Sequence, residues 1–236
     1  MKRHLIFSCE HGGNLIPQDY QDLFRGHEEL LKSHLGYDPG ALELAKELAA
    51  YFSAPLFHST TSRLLVELNR SLTNKSLFSE ITDKGLSQKQ KEAVIYNHYL
   101  PYREKIEQYI KEKITSQPIL HLSIHTFTPV LNQKERKADI GLLYDPQHQP
   151  ETAFCQTWFQ KMQKESKDAV QVRKNYPYKG ISDGLTTHLR SLYNEKDYVG
   201  IELEVNQKFP LTLRNEWPSI KQLVIHSLAA ALKEAN

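Results

Sequence analysis

The sequence has few cysteines and no long apolar run. Its two cysteines, Cys9 and Cys155, form neither a CxxC pair nor a framework of paired half-cystines, which favours a reducing compartment. No segment approaches the roughly 18 apolar residues of a membrane helix, and the apolar run near the N-terminus is too short for a signal peptide. We therefore expect a cytoplasmic protein that neither spans nor binds a membrane.

The sequence also lacks an excess of charge of either sign. Lys and Arg total 30 against 28 Asp and Glu, so the basic surplus that marks nucleic-acid binders is missing. No Gly/Ser-rich or Pro-rich linker divides the 236 residues. This predicts a single domain over residues 1–236 and no nucleic-acid partner, and it leaves the oligomeric state open.

Apolar periodicity predicts strands that alternate with helices. The predicted strands are 5–9, 55–60, 119–125, 139–144, 170–173 and 201–206, and the predicted helices are 39–52, 87–114 with an interruption near Pro101, 151–164, 185–192 and 218–232. Residues 71–86 are polar and irregular, which is typical of a surface loop or lid-like insertion. The alternation favours an α/β fold, a single three-layer domain in which helices flank a mixed, largely parallel central sheet.

Polar residues stand at the ends of three predicted strands. His11 lies on the glycine-rich turn after the first strand, His125 ends the third, and Glu204 lies in the last. Ligands of such sheets bind beyond the carboxyl ends of the strands, so the three side chains would meet in one cleft if the strands are neighbours. Two histidines with a carboxylate such as Asp38 match a catalytic zinc site, and Glu204 would then be a general base that deprotonates the attacking water.

Each of these residues also has an ordinary structural explanation. Asp38 stands where it could cap the following helix, His11 could bond the backbone of its turn, and His125 could be a satisfied strand-end histidine. Glu202 and Glu204 share one face of their strand and could be exposed edge charges. No H-x-x-E or H-E-x-x-H motif is present. Taken alone, the residues favour these explanations over a zinc site.

Several arginines in or beside apolar segments need acidic partners, because an unpaired buried guanidinium is costly. They are Arg63, Arg70 and Arg190. Their partners could be carboxylates of the chain, namely Glu67, Asp139 and Glu202, or those of an anionic small-molecule substrate. Lys179, in a turn-rich loop, could add to such a site or be a solvated lysine.

Short motifs recur along nearly the whole chain. They are SCEHGGN (8–14), GYDPGA (36–41), SRL with NRS (62–71), IHTFTP (124–129), ADIGLLYD (138–145), YKGISDGLTT (178–187) and GIELEVNQ (200–207). In this order they resemble the N-formylglutamate amidohydrolase family. The resemblance implies an α/β fold similar to zinc carboxypeptidases and to the desuccinylase/aspartoacylase group, which are phosphorylase/hydrolase-like zinc exopeptidases.

The resemblance also implies roles for individual residues. It implies one zinc, or another divalent metal, held by His11, Asp38 and His125, with Glu204 as general base. It implies a substrate that is an N-acyl, N-formyl-like acidic amino acid or small peptide. The residues implied to hold the substrate's carboxylates are Arg63, Arg70 and Arg190, with Lys179 as a further candidate. Two residues are expected to support the site: Glu202, through an arginine such as Arg190 or Arg63, and Asn14, where the carboxypeptidase pattern places a carboxylate.

Two other functions remain open at the level of sequence. Cys9, two residues from His11, could be the nucleophile of a thiol hydrolase, although its apolar surroundings favour a buried small side chain. A non-catalytic protein could use the same cleft and arginines to sense an acidic metabolite. Bound metal and hydrolysis of N-acyl amino acids distinguish these functions from a metal-dependent amidohydrolase.

Overall fold

The computed structural model of the chain describes residues 3–235 and is organised around a six-stranded sheet with helices on both faces. The strands of the sheet follow the order β2-β1-β3-β8-β6-β7, and β4 and β5 form a separate hairpin. The strand bounds are β1 His4–Cys9, β2 Leu56–His58, β3 Ile119–Phe127, β4 Val130–Leu131, β5 Lys134–Glu135, β6 Ile140–Leu143, β7 Val172–Lys174 and β8 Tyr198–Asn206.

The sheet changes direction once. Strands β2, β1, β3 and β8 are parallel, β6 runs antiparallel to β8, and β7 is parallel to β6. All of β3 and nearly all of β8 are buried, because both faces of the sheet are covered. The predicted mixed, largely parallel α/β architecture is confirmed.

Helices cover the two faces of this sheet. Their bounds are α1 Glu28–Lys32, α2 Ala41–Phe52, α3 Glu80–Gly85, α4 Gln88–Val94, α5 Leu100–Lys113, α6 Gln149–Ser166, α7 Leu185–Leu192, α8 Lys208–Leu211 and α9 Trp217–Ala235. One apolar cluster combines strand residues such as Leu122 and Leu203 with Leu44 of α2, Trp158 of α6 and Val224 of α9. No helix between residues 3 and 235 is long and apolar enough to cross a membrane.

The predicted helix from residue 87 to 114 is present as two helices. Ser87 caps α4 in a complete capping box with Gln90, as its sequence pattern indicates. A π-helical turn, Ile95–Tyr99, then leads into α5, which has Pro101 in its first turn. Proline has no N–H to donate to the preceding turn, which accounts for the change of hydrogen-bond pattern at this point.

The segment 71–86 is more ordered than its polar composition suggests. It contains helix α3, whose cap Ser79 accepts a hydrogen bond from the Thr82 backbone N–H. Leu77 is buried, and the Thr82 hydroxyl donates to the carbonyl of Leu64. The prediction of an irregular loop was wrong for this part, because one short helix with few apolar residues gives no periodic signal.

Candidate active site

The carboxyl ends of three neighbouring parallel strands bring His11, His125 and Glu204 together. His11 lies in the turn that follows β1. In the same turn, Gly13 packs against the segment after β2 so closely that a Cβ would lie 2.7 Å from the Thr60 carbonyl oxygen. His125 and Glu204 are register partners in β3 and β8, so their side chains leave the same face of the sheet. All three are at most 5% exposed.

These side chains line a cavity of about 150 Å³. A cavity of this size is small beside the several hundred Å³ usual for drug-sized ligands, so it suits a small metabolite. Its lining residues are His11, Asp38, Arg63, Asn69, Arg70, His125, Thr126, Tyr178, Lys179, Ser182, Asp183, Glu202 and Glu204.

Asp38 joins the two histidines. Its Oδ2 lies 3.2 Å from His11 Nδ1 and 3.0 Å from His125 Nδ1. The alternative explanation as a helix cap is wrong, because α2 begins after Gly40 and has no side-chain cap. Burial disfavours the charge of Asp38, but His11, His125 and the Arg63 guanidinium outweigh it and lower the pKa of Asp38 well below its ordinary value.

Each histidine contacts a second buried carboxylate through its other ring nitrogen. His11 Nε2 contacts Glu67 Oε1, and His125 Nε2 lies 3.0 Å from Glu10 Oε2. Desolvation opposes a charged imidazole at His125, yet its bonds to Asp38 and Glu10 raise its pKa well above the ordinary value. Neither histidine is therefore a simple backbone-bonded residue.

The donor set fits a divalent metal. His11, Asp38 and His125 are all buried and each offers a ligand atom, and these atoms lie within 4.8 Å of one another. Imidazole nitrogens with one carboxylate oxygen suit zinc and several other transition metals. The outer carboxylates on both imidazoles are the arrangement found around metal-binding histidines, where they orient the ring.

Glu204 is the carboxylate without a hydrogen-bond partner in this cavity. Its Oε2 is buried and has no donor within reach among the described residues. Desolvation is the main cause that raises the pKa of Glu204 to about 8, helped by the nearby charges of Asp38 and Glu202 and opposed by His125 and Arg63. A buried, unpartnered carboxyl with a raised pKa in a cleft has the properties of a general acid or base.

Glu202 also lines the cavity, but its partner differs from the predicted one. Its Oε1 accepts a hydrogen bond of 2.9 Å from the Thr186 hydroxyl of α7. The expected support through Arg190 or Arg63 was wrong, because both guanidinium groups bind other carboxylates.

Two of the predicted arginines and the lysine lie at the cavity. Arg63 binds Glu67 and Asp38, with Nε to Glu67 Oε2 at 2.7 Å, so much of its charge is matched within the protein. Arg70 donates to the backbone carbonyls of Asn69 and Asp183. Lys179 is exposed and lines the cavity from a loop.

Arg190 is not brought to the cavity. Its Nε donates to the fully buried Glu151 at 2.8 Å, and its other nitrogens donate to the carbonyls of Gly180 and Gly200. Arg190 therefore does not match its predicted place at the substrate, because Glu151 of α6 supplies the acidic partner that its apolar surroundings require.

Two further predicted residues lie outside the cavity. Asn14 lines a different surface depression, with Leu15 and Phe24. Cys9 is fully buried, and desolvation raises the pKa of its thiol well above the ordinary value, which makes it a poor nucleophile.

Several site residues were missed from the sequence. Glu10 is next to His11 in the chain, and Glu67 follows Arg63 by four residues, which is the only local signal for either contact. Tyr178, Ser182 and Asp183 come from the loop before α7. This loop lies against β6, where a Cβ on Gly141, the register partner of Glu204, would be 2.0 Å from the Tyr176 carbonyl oxygen.

The fold and the cavity define a single-domain α/β protein with a buried His/Asp cluster that could hold a metal ion. A family model described as N-formylglutamate amidohydrolase matches residues 3–209. The chain belongs to the N-formylglutamate amidohydrolase family, and this membership supports amidohydrolase activity on a small molecule.

Solved structures share the fold. A gene product of Agrobacterium tumefaciens superposes with a TM-score of 0.83 at 24% identity over 99% of this chain and 92% of that chain. N-formylglutamate amidohydrolase from Ralstonia eutropha JMP134 superposes with a TM-score of 0.71 at 16% identity, over 99% of this chain and 96% of that one. No curated protein matches the chain.

Proposed function

We propose that the protein is a metal-dependent amidohydrolase that cleaves the amide bond of a small N-acyl acidic amino acid, with N-formylglutamate as the first substrate to test. Membership of the family supports the class of bond. The observation that carries the mechanism is the meeting, in one small cavity, of the cluster His11, Asp38 and His125 with the unpartnered carboxyl of Glu204.

The His/Asp cluster would hold the metal. His11 and His125 would supply ring nitrogens and Asp38 a carboxylate oxygen. A bound zinc or similar ion polarises a carbonyl and lowers the pKa of water.

Glu204 would move the proton. Its carboxyl lines the cavity and would accept the proton of the attacking water and then donate it to the leaving nitrogen. In the metal-free protein, burial raises the pKa of Glu204 to about 8. The positive charge of a bound metal ion would favour the ionised form of Glu204, which is the form that accepts a proton.

The basic residues of the cavity would hold the substrate's carboxylates. Arg70 and Lys179 are the better candidates, because Arg63 is already bound by Glu67 and Asp38. A guanidinium and an ammonium on one wall would orient an acidic amino acid whose acyl group points to Glu204. The cavity of about 150 Å³ limits the acyl group to a small one.

Substitution of Glu204 by Gln tests the proposal. We expect Glu204→Gln to lower kcat for N-formylglutamate by about 10²-fold or more, since general-base catalysis contributes this much. Bound zinc, measured by elemental analysis of the purified protein, should stay at one per chain because Glu204 is not a ligand. Retained turnover in this variant would refute the role of Glu204.

The same assay separates catalysis from sensing. A chelator should abolish hydrolysis by the wild type, and added zinc should restore it. Stoichiometric metal together with binding but no turnover of N-formyl, N-acetyl and N-succinyl amino acids would favour a non-catalytic sensor of acidic metabolites.

A further inference from the structure

Glu67 contacts the ring nitrogen of His11 that does not face Asp38. His11 turns Nδ1 to Asp38 Oδ2 at 3.2 Å and Nε2 to Glu67 Oε1. Glu67 is itself fixed, because Arg63 Nε donates to its Oε2 at 2.7 Å and the Asn69 backbone N–H donates to its Oε1 at 2.9 Å. The acceptor behind His11 therefore has a defined position.

Glu10 repeats this arrangement behind His125. His125 turns Nδ1 to the same Asp38 oxygen at 3.0 Å and Nε2 to Glu10 Oε2, also at 3.0 Å. The Ser123 hydroxyl donates to Glu10 Oε2 at 2.6 Å, so its oxygen, 2.8 Å from His125 Nε2, is a second acceptor for that nitrogen. The Tyr102 hydroxyl donates to Glu10 Oε1 at 2.8 Å. Glu10 is 1% exposed, so no solvent replaces these contacts.

Both rings thus share one orientation, although His11 lies in the turn after β1 and His125 lies in β3. Nδ1 of each faces Asp38, and Nε2 of each faces a buried carboxylate. An ionised carboxylate only accepts hydrogen bonds, so each Nε2 must carry a proton when the ring is neutral. The lone pair of each ring is then on Nδ1, the nitrogen that lies next to Asp38 Oδ2.

We infer that Glu10 and Glu67 are positioning residues that fix both histidines for metal coordination through Nδ1. The inference rests on the proposed function, because it assumes that a metal binds His11, Asp38 and His125. Glu10 and Glu67 do not line the cavity, so they act through the histidines and not on the substrate.

Metal affinity tests this role without reference to turnover. Glu10→Gln and Glu67→Gln keep the shape of the side chain, but an amide can turn its NH₂ toward the ring nitrogen and favour the opposite tautomer. We expect each variant, stripped of metal and titrated with zinc against a chromophoric chelator, to bind about 10- to 100-fold more weakly than the wild type.

Glu107→Gln is the matched control. Glu107 also pairs with a histidine, its Oε1 lying 2.8 Å from His188 Nε2, but it is outside the cavity. This variant should bind zinc within about twofold of the wild type. Zinc affinity in both Glu10→Gln and Glu67→Gln that equals the control would overturn the inference.

Two measurements keep the test decisive if a buried variant fails to fold. Tyr102→Phe removes one hydrogen bond to Glu10 while it leaves His125 and Glu10 in place, and it should weaken zinc binding in the same direction. In the zinc-loaded wild type, long-range ¹H–¹⁵N spectra should show His11 and His125 protonated at Nε2 and bound at Nδ1. Coordination through Nε2 would overturn the inference, whereas a wild type that binds no zinc would refute the proposed function itself.

Discussion

At the scale of single residues, the site is defined by which carboxyl groups have partners. Asp38, Glu10 and Glu67 are each bound by histidine or arginine, and burial alone would otherwise disfavour their charge. Glu204 Oε2 is buried without such a partner among residues 3–235. Its neutral form is therefore the stable one in the metal-free protein over much of the physiological pH range.

This difference predicts a pH dependence of stability. Between the ordinary pKa of a glutamate, about 4.5, and the raised value of about 8, Glu204 is neutral when folded and ionised when unfolded. The folded state then binds the extra proton, so stability falls as pH rises through this window. Glu204→Gln removes the effect and should stabilise the metal-free protein by about 1–3 kcal/mol at pH 8 and by little at pH 5.

Urea unfolding in the presence of a chelator at pH 5, 6.5 and 8 measures this change. Glu202→Gln is the control for loss of a carboxylate from the same strand face. In this variant the free energy of unfolding should keep most of its wild-type dependence on pH, because Glu204 is still present. A difference between Glu204→Gln and the wild type that stays constant over this range would show that Glu204 does not carry the raised pKa.

At the scale of elements, the pair of Arg190 and Glu151 ties α7 to α6 and β8. Besides Arg190, Glu151 Oε1 accepts the Gly200 backbone N–H at 3.0 Å, and Oε2 accepts the Asp145 N–H at 2.8 Å. Because α7 also supplies Thr186 to Glu202, the pair fixes one wall of the cavity from behind.

Loss of the Arg190 side chain should therefore lower the free energy of unfolding and leave the affinity for metal unchanged. Arg190→Met leaves the buried carboxylate of Glu151 without its guanidinium partner, which we expect to cost about 3–5 kcal/mol in the free energy of unfolding. Arg173→Met, on an exposed residue of β7 whose guanidinium lies over the Tyr176 ring, should change it by less than about 1 kcal/mol. Chemical denaturation measures both, and an unchanged stability with a raised KM would instead place Arg190 at the substrate.

The elements themselves were largely readable from the sequence. Period-two alternation marks β8, the capping residues Ser87 and Gln90 mark the start of α4, and the predicted bounds of α7 agree with the structure. The direction of β6 was not readable, because local periodicity is the same in parallel and antiparallel strands. The contacts of Glu10 and Glu67 with the histidines could not be predicted either. Glu67, for example, is separated from His11 by 56 positions in the sequence.

At the scale of the whole molecule, a bound metal would join three separate parts of the chain. His11 follows β1, Asp38 precedes α2 and His125 lies in β3, so their common ion would link two strands and one helix. A ligand that binds only the folded state stabilises it in proportion to the logarithm of its concentration over its dissociation constant.

Removal of the metal should consequently lower the melting temperature. At a free zinc concentration of about 100 times Kd the stabilisation is about 2.7 kcal/mol, which corresponds to a shift of about 5–10 °C for a domain of this size. Differential scanning calorimetry with zinc or with chelator measures the shift. In Asp38→Asn, which loses one ligand, the shift should be much smaller; an equal shift in this variant would place the metal elsewhere.

The close contact between the loop and Gly141 has a consequence for the shape of the cavity. The Tyr176 carbonyl occupies the place of any side chain at position 141, so the main chain itself holds the loop that carries Tyr178, Lys179 and Ser182. One wall of the cavity is thus set by backbone contact, directly beside the strand residue opposite Glu204. Replacement of Gly141 by any larger residue should therefore displace this loop and reshape the cavity, although position 141 does not itself line it.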